Sequence, residues 1–251
     1  MPVMDEFKEE RDKILKEGTL KDKVNYLVYY YKWHVIAAVL IAWFVISLVV
    51  TIVTHKEPGF YGVIVNGTQL LSSDTYAEEF GTVIGIDPEK EEVILESDLY
   101  LNWETNDEMT ASNAQKIAVY VSAGDLDTIV SDLHAMNYYG YNDIIMDVRE
   151  YLSPDLIELY EPYFYYVDRA LIEAKKAADE AGDYSFTLVY PDNPYDPTKM
   201  TDPVPVAINV KEITSFTNHF FFKKESLFGV FKNTSRLEQC VEFLEFMRNH
   251  E

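Results

Sequence analysis

Only one cysteine, Cys240, stands in the 251 residues, so the chain can form no disulfide within itself. Eukaryotic extracellular domains of this size usually carry several. The composition therefore points to a bacterial origin, and the sequons Asn66-Gly67-Thr68 and Asn233-Thr234-Ser235 read as accidental. Basic residues are scarce as well: 21 Lys and Arg against 43 Asp and Glu give a formal net charge of −22. A field of that sign repels nucleic acid and anionic lipid heads and favours cations or basic partners. Catalytic signatures are missing too. None of the five histidines has H-E-x-x-H or paired zinc-ligand spacing, and no P-loop, G-x-G-x-x-G or G-x-S-x-G elbow occurs. Cys240 falls on an apolar helix face, which argues against a thiol nucleophile. These absences predict a protein that is not an enzyme and holds no cofactor or metal.

What the chain has instead is one long apolar run. From Trp33 to Thr54 there is no Asp, Glu, Lys, Arg, Gly or Pro, and roughly 20 such residues cover a hydrocarbon core of about 30 Å as a helix. A cleavable signal peptide has a shorter apolar core, about 7–15 residues, followed by small residues at the cut. Here the run ends in Thr54-His55-Lys56-Glu57-Pro58, which predicts an uncleaved signal-anchor in the cell membrane. Lys32, Trp33, Trp43 and Phe44 are the expected anchoring side chains, with Tyr26, Tyr29, Tyr30 and Tyr31 at the lipid interface. Lys8, Arg11, Lys13, Lys16, Lys21, Lys23 and Lys32 precede the span, whereas Lys56 alone follows it before Lys90. The basic side stays in the cytoplasm, so the N-terminus is expected inside and the C-terminal domain outside. Because Asp5, Glu6, Glu9, Glu10, Asp12, Glu17 and Asp22 balance those bases, the net negative charge belongs to the outer part.

The expected division is a cytoplasmic and juxtamembrane helical segment at 1–32, a transmembrane helix at 33–54, a linker at 55–59 and an extracytoplasmic α/β domain at 60–251. Within the first, helical spacing predicts one helix over 5–16 and a second, capped by Thr19, running into the span. Strands are expected at 60–66, 92–101, 126–130, 163–167, 204–210 and 227–231, alternating with helices at 73–83, 110–122, from 132, 154–160 and 168–181. A last helix is expected behind a Ser235/Glu238 capping box. That alternation predicts a mainly parallel, sandwiched α/β sheet.

Ligand chemistry is most legible in two places. Asp125 and Asp127 flank Leu126 at a helix-to-strand junction, and open α/β sheets gather ligands at strand ends. Tyr138, Tyr139 and Tyr165 belong to an unusually dense set of aromatics able to stack on a ligand, or simply to fill the core. Acidic loops at 98–108 and 192–202 offer oxygen ligands but lack the D-x-D-x-D-G calcium pattern, and solvated turns are the plainer reading.

The passage Ser122-Ala123-Gly124-Asp125-Leu126-Asp127-Thr128-Ile129-Val130-Ser131-Asp132 resembles the helix-AGD-strand passage of type II bacterial extracellular solute-binding proteins. Asp147–Leu152 and Leu227–Phe246 are similar to later passages of that family. The layout also resembles small single-pass membrane proteins of Firmicutes. The resemblance implies a reduced type II periplasmic-binding-protein fold and a membrane-anchored, solute-binding-like module. Its expected partners are the bilayer, an unidentified small molecule or peptide and a membrane protein such as a transporter, with no nucleic acid. The alternative is a structural or assembly protein of the cell envelope with no small-molecule ligand. A surface hydrolase built on the acidic loops is a third reading.

Overall fold

The computed structural model describes residues 13, 16–54, 56–105, 107–183 and 185–249. The chain divides into two compact units, residues 1–55 and 56–251. The first is dominated by helix α1, Leu20–Thr54, 35 residues long. No Gly or Pro interrupts it, and its stretch Tyr31–Thr54 is long and apolar enough to cross a membrane. Trp33, Leu40, Ile41, Trp43 and Phe44 are all exposed. The hydroxyls of Thr51 and Thr54 donate to the carbonyls of Ser47 and Val50 (2.9 and 2.8 Å), which satisfies them inside the helix. Lys32 places its ammonium 5.4 Å from the Tyr29 ring centroid. The helix expected over 5–16 lies outside the described residues apart from positions 13 and 16.

The second unit opens with β1 (Glu57–Val65) and β2 (Thr68–Gln69), then α2 (Ser73–Ile84), β3 (Glu91–Leu99) and α3 (Glu108–Ala123). Next come β4 (Thr128–Ser131), α4 (Leu133–Tyr141), α5 (Pro154–Tyr160), β5 (Phe164–Asp168) and α6 (Arg169–Ala181). The chain ends with β6 (Pro203–Asn209), α7 (Thr214–His219), β7 (Phe220–Phe221), β8 (Leu227–Val230) and α8 (Leu237–Asn249). Pro58 and Gly59, expected in a linker, therefore belong to β1. Proline is tolerated there because β4 pairs with β1 only from Gly62 onward, leaving one side of Pro58 without a ladder.

Six strands form one sheet in the order β3-β1-β4-β8-β6-β5, and β2 pairs separately with β7. β1 runs parallel to β3 and β4, as expected where α2 and α3 carry the chain back between strands. The remaining pairs, β4 with β8, β8 with β6 and β6 with β5, are antiparallel. The sheet is thus mixed, and the expectation of a mainly parallel one is corrected. The segment from β6 through α7 and β7 returns the chain at the end of the sheet it has just left, so β8 must run the other way.

Both faces of the sheet are covered. Along β1, Phe60 and Ile64 enter one core with Tyr76, Phe80, Phe243 and Leu244 from α2 and α8. Tyr61, Val63 and Val65 enter the other with Ile117, Tyr139 and Ile172 from α3, α4 and α6. This is the period-two alternation of a strand buried on both sides. Phe60, Phe80 and Phe243 meet with ring centroids 4.9–5.1 Å apart, close enough for edge-to-face attraction beyond area burial.

Helix starts follow side-chain chemistry closely. Asp107, Asp132, Ser153 and Asp168 each accept a backbone N–H at the start of α3, α4, α5 and α6. The cap of α3 is Asp107 and not Thr110, whose own amide it binds at 2.8 Å. α8 begins at Leu237, and the hydroxyl serving that end is Thr234, which accepts from the Arg236 amide at 3.0 Å, rather than the expected Ser235. Gly124 ends α3 at φ +77°, a left-handed position that glycine occupies without strain.

Candidate functional site

The parallel part of the sheet creates one distinctive place. From β1 the chain crosses to β3 on one side, and from β3 it crosses to β4 on the other, so the connections diverge at the carboxyl ends of these strands. Such a switch point leaves a crevice where open α/β sheets take ligands. Here it is a cleft of about 410 Å³ lined by Asn66, Asp132, Leu133, His134, Asn137, Lys223, Lys224 and Glu225.

Asn66 holds the crevice together. It follows β1 with φ +60°, a left-handed conformation that asparagine adopts more readily than most residues. Its Oδ1 accepts from the Leu101 amide at 2.8 Å, and its Nδ2 donates to the Leu101 carbonyl at 2.9 Å and to Asp132 Oδ2 at 3.2 Å. One side chain thereby ties the ends of β1, β3 and β4. The other oxygen of Asp132 accepts from the Ala135 amide at 3.0 Å and starts α4. A Cβ on the next residue, Gly67, would sit 2.7 Å from the Phe222 ring, so only glycine passes there.

The far wall is built by the approach to β8. Glu225 has one carboxylate oxygen, Oε2, buried without a hydrogen-bond partner among the described residues, and the fully buried Ser226 leaves its hydroxyl likewise unmatched. Burial and the nearby Glu225 charge push the Tyr195 phenol up to about 12. Tyr195 accepts from Asn209 Nδ2 at 3.1 Å. Beside the mouth, Trp103 stacks on Tyr138 at 4.4 Å and 21° and lies 5.8 Å from His134, making an aromatic wall.

The residues expected to bind a ligand are distributed unequally about this cleft. Tyr138 is exposed in the aromatic wall, whereas Tyr139 and Tyr165 are buried in the core. Tyr165 donates its hydroxyl to Asn137 Oδ1 and so backs the cleft from behind. Burial raises the pKa of both inner tyrosines. Asp125 and Asp127 stand at the amino end of β4, opposite the cleft. Asp127 is 0% exposed and fully engaged. Oδ2 accepts from the Tyr61 amide at 2.8 Å, Oδ1 from the Thr234 hydroxyl, and Arg236 Nε reaches both oxygens. Burial pushes this carboxyl above its ordinary range, against the lowering pull of Thr234, Arg236 and the Tyr61 amide. Asp127 joins elements and has no oxygen left for a ligand.

Among the described residues no group of three or more His, Cys, Asp or Glu is arranged to hold a metal ion. In the two acidic loops the side-chain oxygens close local turns: Asn102 accepts from the Glu104 amide, and Asp196 from the Thr198 amide and hydroxyl. A larger groove of about 670 Å³ between α2 and β3 is lined by Asp74, Glu78, Glu91 and Glu92 with Lys56.

Asn66 and Glu225 carry no binding motif in the sequence. The available signal was Asn66-Gly67 directly after an apolar strand, a pair that favours left-handed backbone. Compared with models of known families, with curated proteins and with solved structures, the chain matches none.

Proposed function

We propose that this chain is a membrane-anchored binding module. In this reading α1 spans the cell membrane with its N-terminus in the cytoplasm, and residues 56–251 stand outside as a solute-binding-like domain serving a membrane partner such as a transporter. The apolar stretch Tyr31–Thr54 supports the anchor, and the basic residues concentrated before it support the orientation. The observation that carries the binding role is the cleft at the switch point. There, polar side chains from three connections converge on a space of about 410 Å³, within the ~300–1,000 Å³ of small-molecule sites. The likeness to a shortened type II solute-binding protein rests on the passages Ser122–Asp132 and Leu227–Phe246, which form the α3–β4 junction and β8 with α8.

The test uses the full-length protein purified in mild detergent, screened by thermal shift against sugars, amino acids, short peptides and divalent metals. A stabilising compound whose effect is lost in Asn66→Ala supports the reading. No shift with any compound, or a shift unchanged by that variant, removes it. Protease added to intact cells should degrade the C-terminal domain and spare an N-terminal tag, and the reverse pattern overturns the orientation.

A second reading, an envelope assembly protein without a small-molecule ligand, is favoured by the apolar Leu70, Leu71 and Phe221, all exposed around the β2–β7 ribbon. A stoichiometric protein partner lost in Phe221→Ser, together with no ligand response, would establish it.

A further inference from the structure

We propose that the cleft at the carboxyl ends of β1 and β4 takes a small zwitterion, a free amino acid or short peptide, with its ammonium toward Glu225 and Asp132 and its carboxylate toward Lys223 and Lys224. This deepens the binding reading and rests on it.

The charges lining the cleft are not matched to one another. Neither Glu225 nor Asp132 has an ion-pair partner among the described residues. Among the described residues Asp132 meets only neutral donors, the Ala135 amide and Asn66, and Glu225 Oε2 meets none. A buried acceptor left without a donor costs about 1–3 kcal/mol, more when charged. A ligand that supplies a positively charged N–H removes that cost.

The lysines show the complementary anomaly. In the second unit, Lys90, Lys116, Arg149, Arg169, Lys175, Lys176, Lys199, Lys232, Arg236 and Arg248 all pair with carboxylates. Apart from them only Lys56, Lys211, Lys223 and Lys224 remain, and the last two are neighbours in sequence on the wall of one cleft. In a chain whose net charge is −22, two adjacent ammoniums without a carboxylate partner among the described residues offset Asp132 and Glu225 and leave the cleft neutral. An anion is repelled by the molecule at large and accepted there.

A ligand of a single sign fits this arrangement poorly. A simple amine meets Lys223 and Lys224, and a simple carboxylate meets Asp132 and Glu225. Like charges held close across an interface cost several kcal/mol. A molecule carrying both groups satisfies both walls, and the stack of half-buried Trp103 on exposed Tyr138 is placed to cover its side chain.

The experiment is calorimetric titration of the full-length protein in detergent with the twenty common amino acids and with alanyl-alanine. Butylamine, butyrate, glucose and maltose serve as single-charge and neutral controls. At least one zwitterion should bind where the controls do not, and Glu225→Gln and the double variant Lys223→Ala/Lys224→Ala should each weaken it by about tenfold or more. Lys56→Ala, at the amino end of β1 and so at the opposite pole from the cleft, should bind as the parent does. Unliganded melting temperatures confirm that each variant is folded, and the lysine variant, altered only on exposed side chains, keeps the test decisive if Glu225→Gln is not. Binding of a sugar, or of the amine or carboxylate alone, that is abolished by Asn66→Ala keeps the cleft as a binding site and overturns the zwitterion. Zwitterion binding indifferent to Glu225 and to the lysines overturns it too. Absence of binding by every compound overturns the binding reading with it.

Discussion

Arg236 and Asp127 lie 109 residues apart, yet the guanidinium Nε sits 3.1 and 2.9 Å from the two oxygens of the buried carboxylate. The same arginine donates through Nη2 to the Asp125 carbonyl at 2.6 Å. The pair pins the start of α8 to the amino end of β4, at the opposite pole from the cleft. Breaking a buried pair by removing one partner leaves a charge without compensation and costs about 3–5 kcal/mol. Asp127→Ala should lose that much in urea unfolding of the solubilised chain. The double variant with Arg236→Ala should lose less than the sum of the single changes, because neighbouring sites couple by about 0.5–3 kcal/mol. Additive losses would show that the two residues act separately.

Cys240 follows from the same neighbourhood. Its side chain is fully buried on α8, and burial, reinforced by the Asp127 charge, raises its thiol well above the ordinary range. Thiolate is the reactive form, so iodoacetamide should leave the folded protein unlabelled and modify it completely in denaturant. Fast labelling under native conditions would mean that α8 is not seated as described.

Asp143 gives a pH signature. It sits at φ +61° between Lys232 and Lys176, the latter at 2.9 Å. Although burial raises its pKa, the two ammoniums outweigh it and hold the carboxylate below its ordinary value. A depressed carboxylate contributes stability that is fully present above the unfolded value, about 3.9, and lost as pH falls through the folded one. Asn tolerates the left-handed backbone, so Asp143→Asn should melt lower than the parent near neutral pH. The gap should close as pH drops below about 4. A gap independent of pH would point to a packing effect.

Gly62 is a packing prediction. It lies in β1 between Leu95 of β3 and Thr128 of β4. A Cβ there would stand 2.9 Å from Thr128 Oγ1, 3.0 Å from Leu95 Cδ2 and 3.2 Å from Phe60 Cε1. Gly62→Ala should therefore destabilise by about 1–3 kcal/mol through overpacking, although alanine ordinarily stabilises a strand relative to glycine. Gly85→Ala, with nothing within 4 Å of the added carbon but φ +69°, separates backbone strain from crowding in the same melting assay.

Elements built from local chemistry were the legible ones. Ser153-Pro154 announces α5 with a cap and a first-turn proline, Gly124 announces the end of α3, and the spacing of Cys240, Leu244 and Met247 announces the buried face of α8. Strand direction was not legible. Leu227–Val230 and Thr128–Ser131 are apolar runs of the same kind, and only the path of the intervening chain makes them antiparallel. The β2–β7 ribbon, two residues per strand, is too short to show a period. The cleft stayed hidden for a related reason. Asn66 acts on Leu101 and Asp132, 35 and 66 residues away, and Glu225 stands out only because no donor among the described residues reaches one of its oxygens. Asp125 and Asp127, the acids the sequence points to, mark the amino end of β4, whereas Asp132 marks the carboxyl end.

The position of β8 has a consequence for how the domain is made. This strand lies between β4 and β6, yet it is made after every other strand of the sheet. Until residues 227–230 arrive, β4 and β6 each present a bare edge and the two halves of the sheet have no common ladder. Closure of the sheet therefore waits until residues 227–230 have been made. Chains cut short before Leu227 should expose those edges and aggregate rather than fold partway.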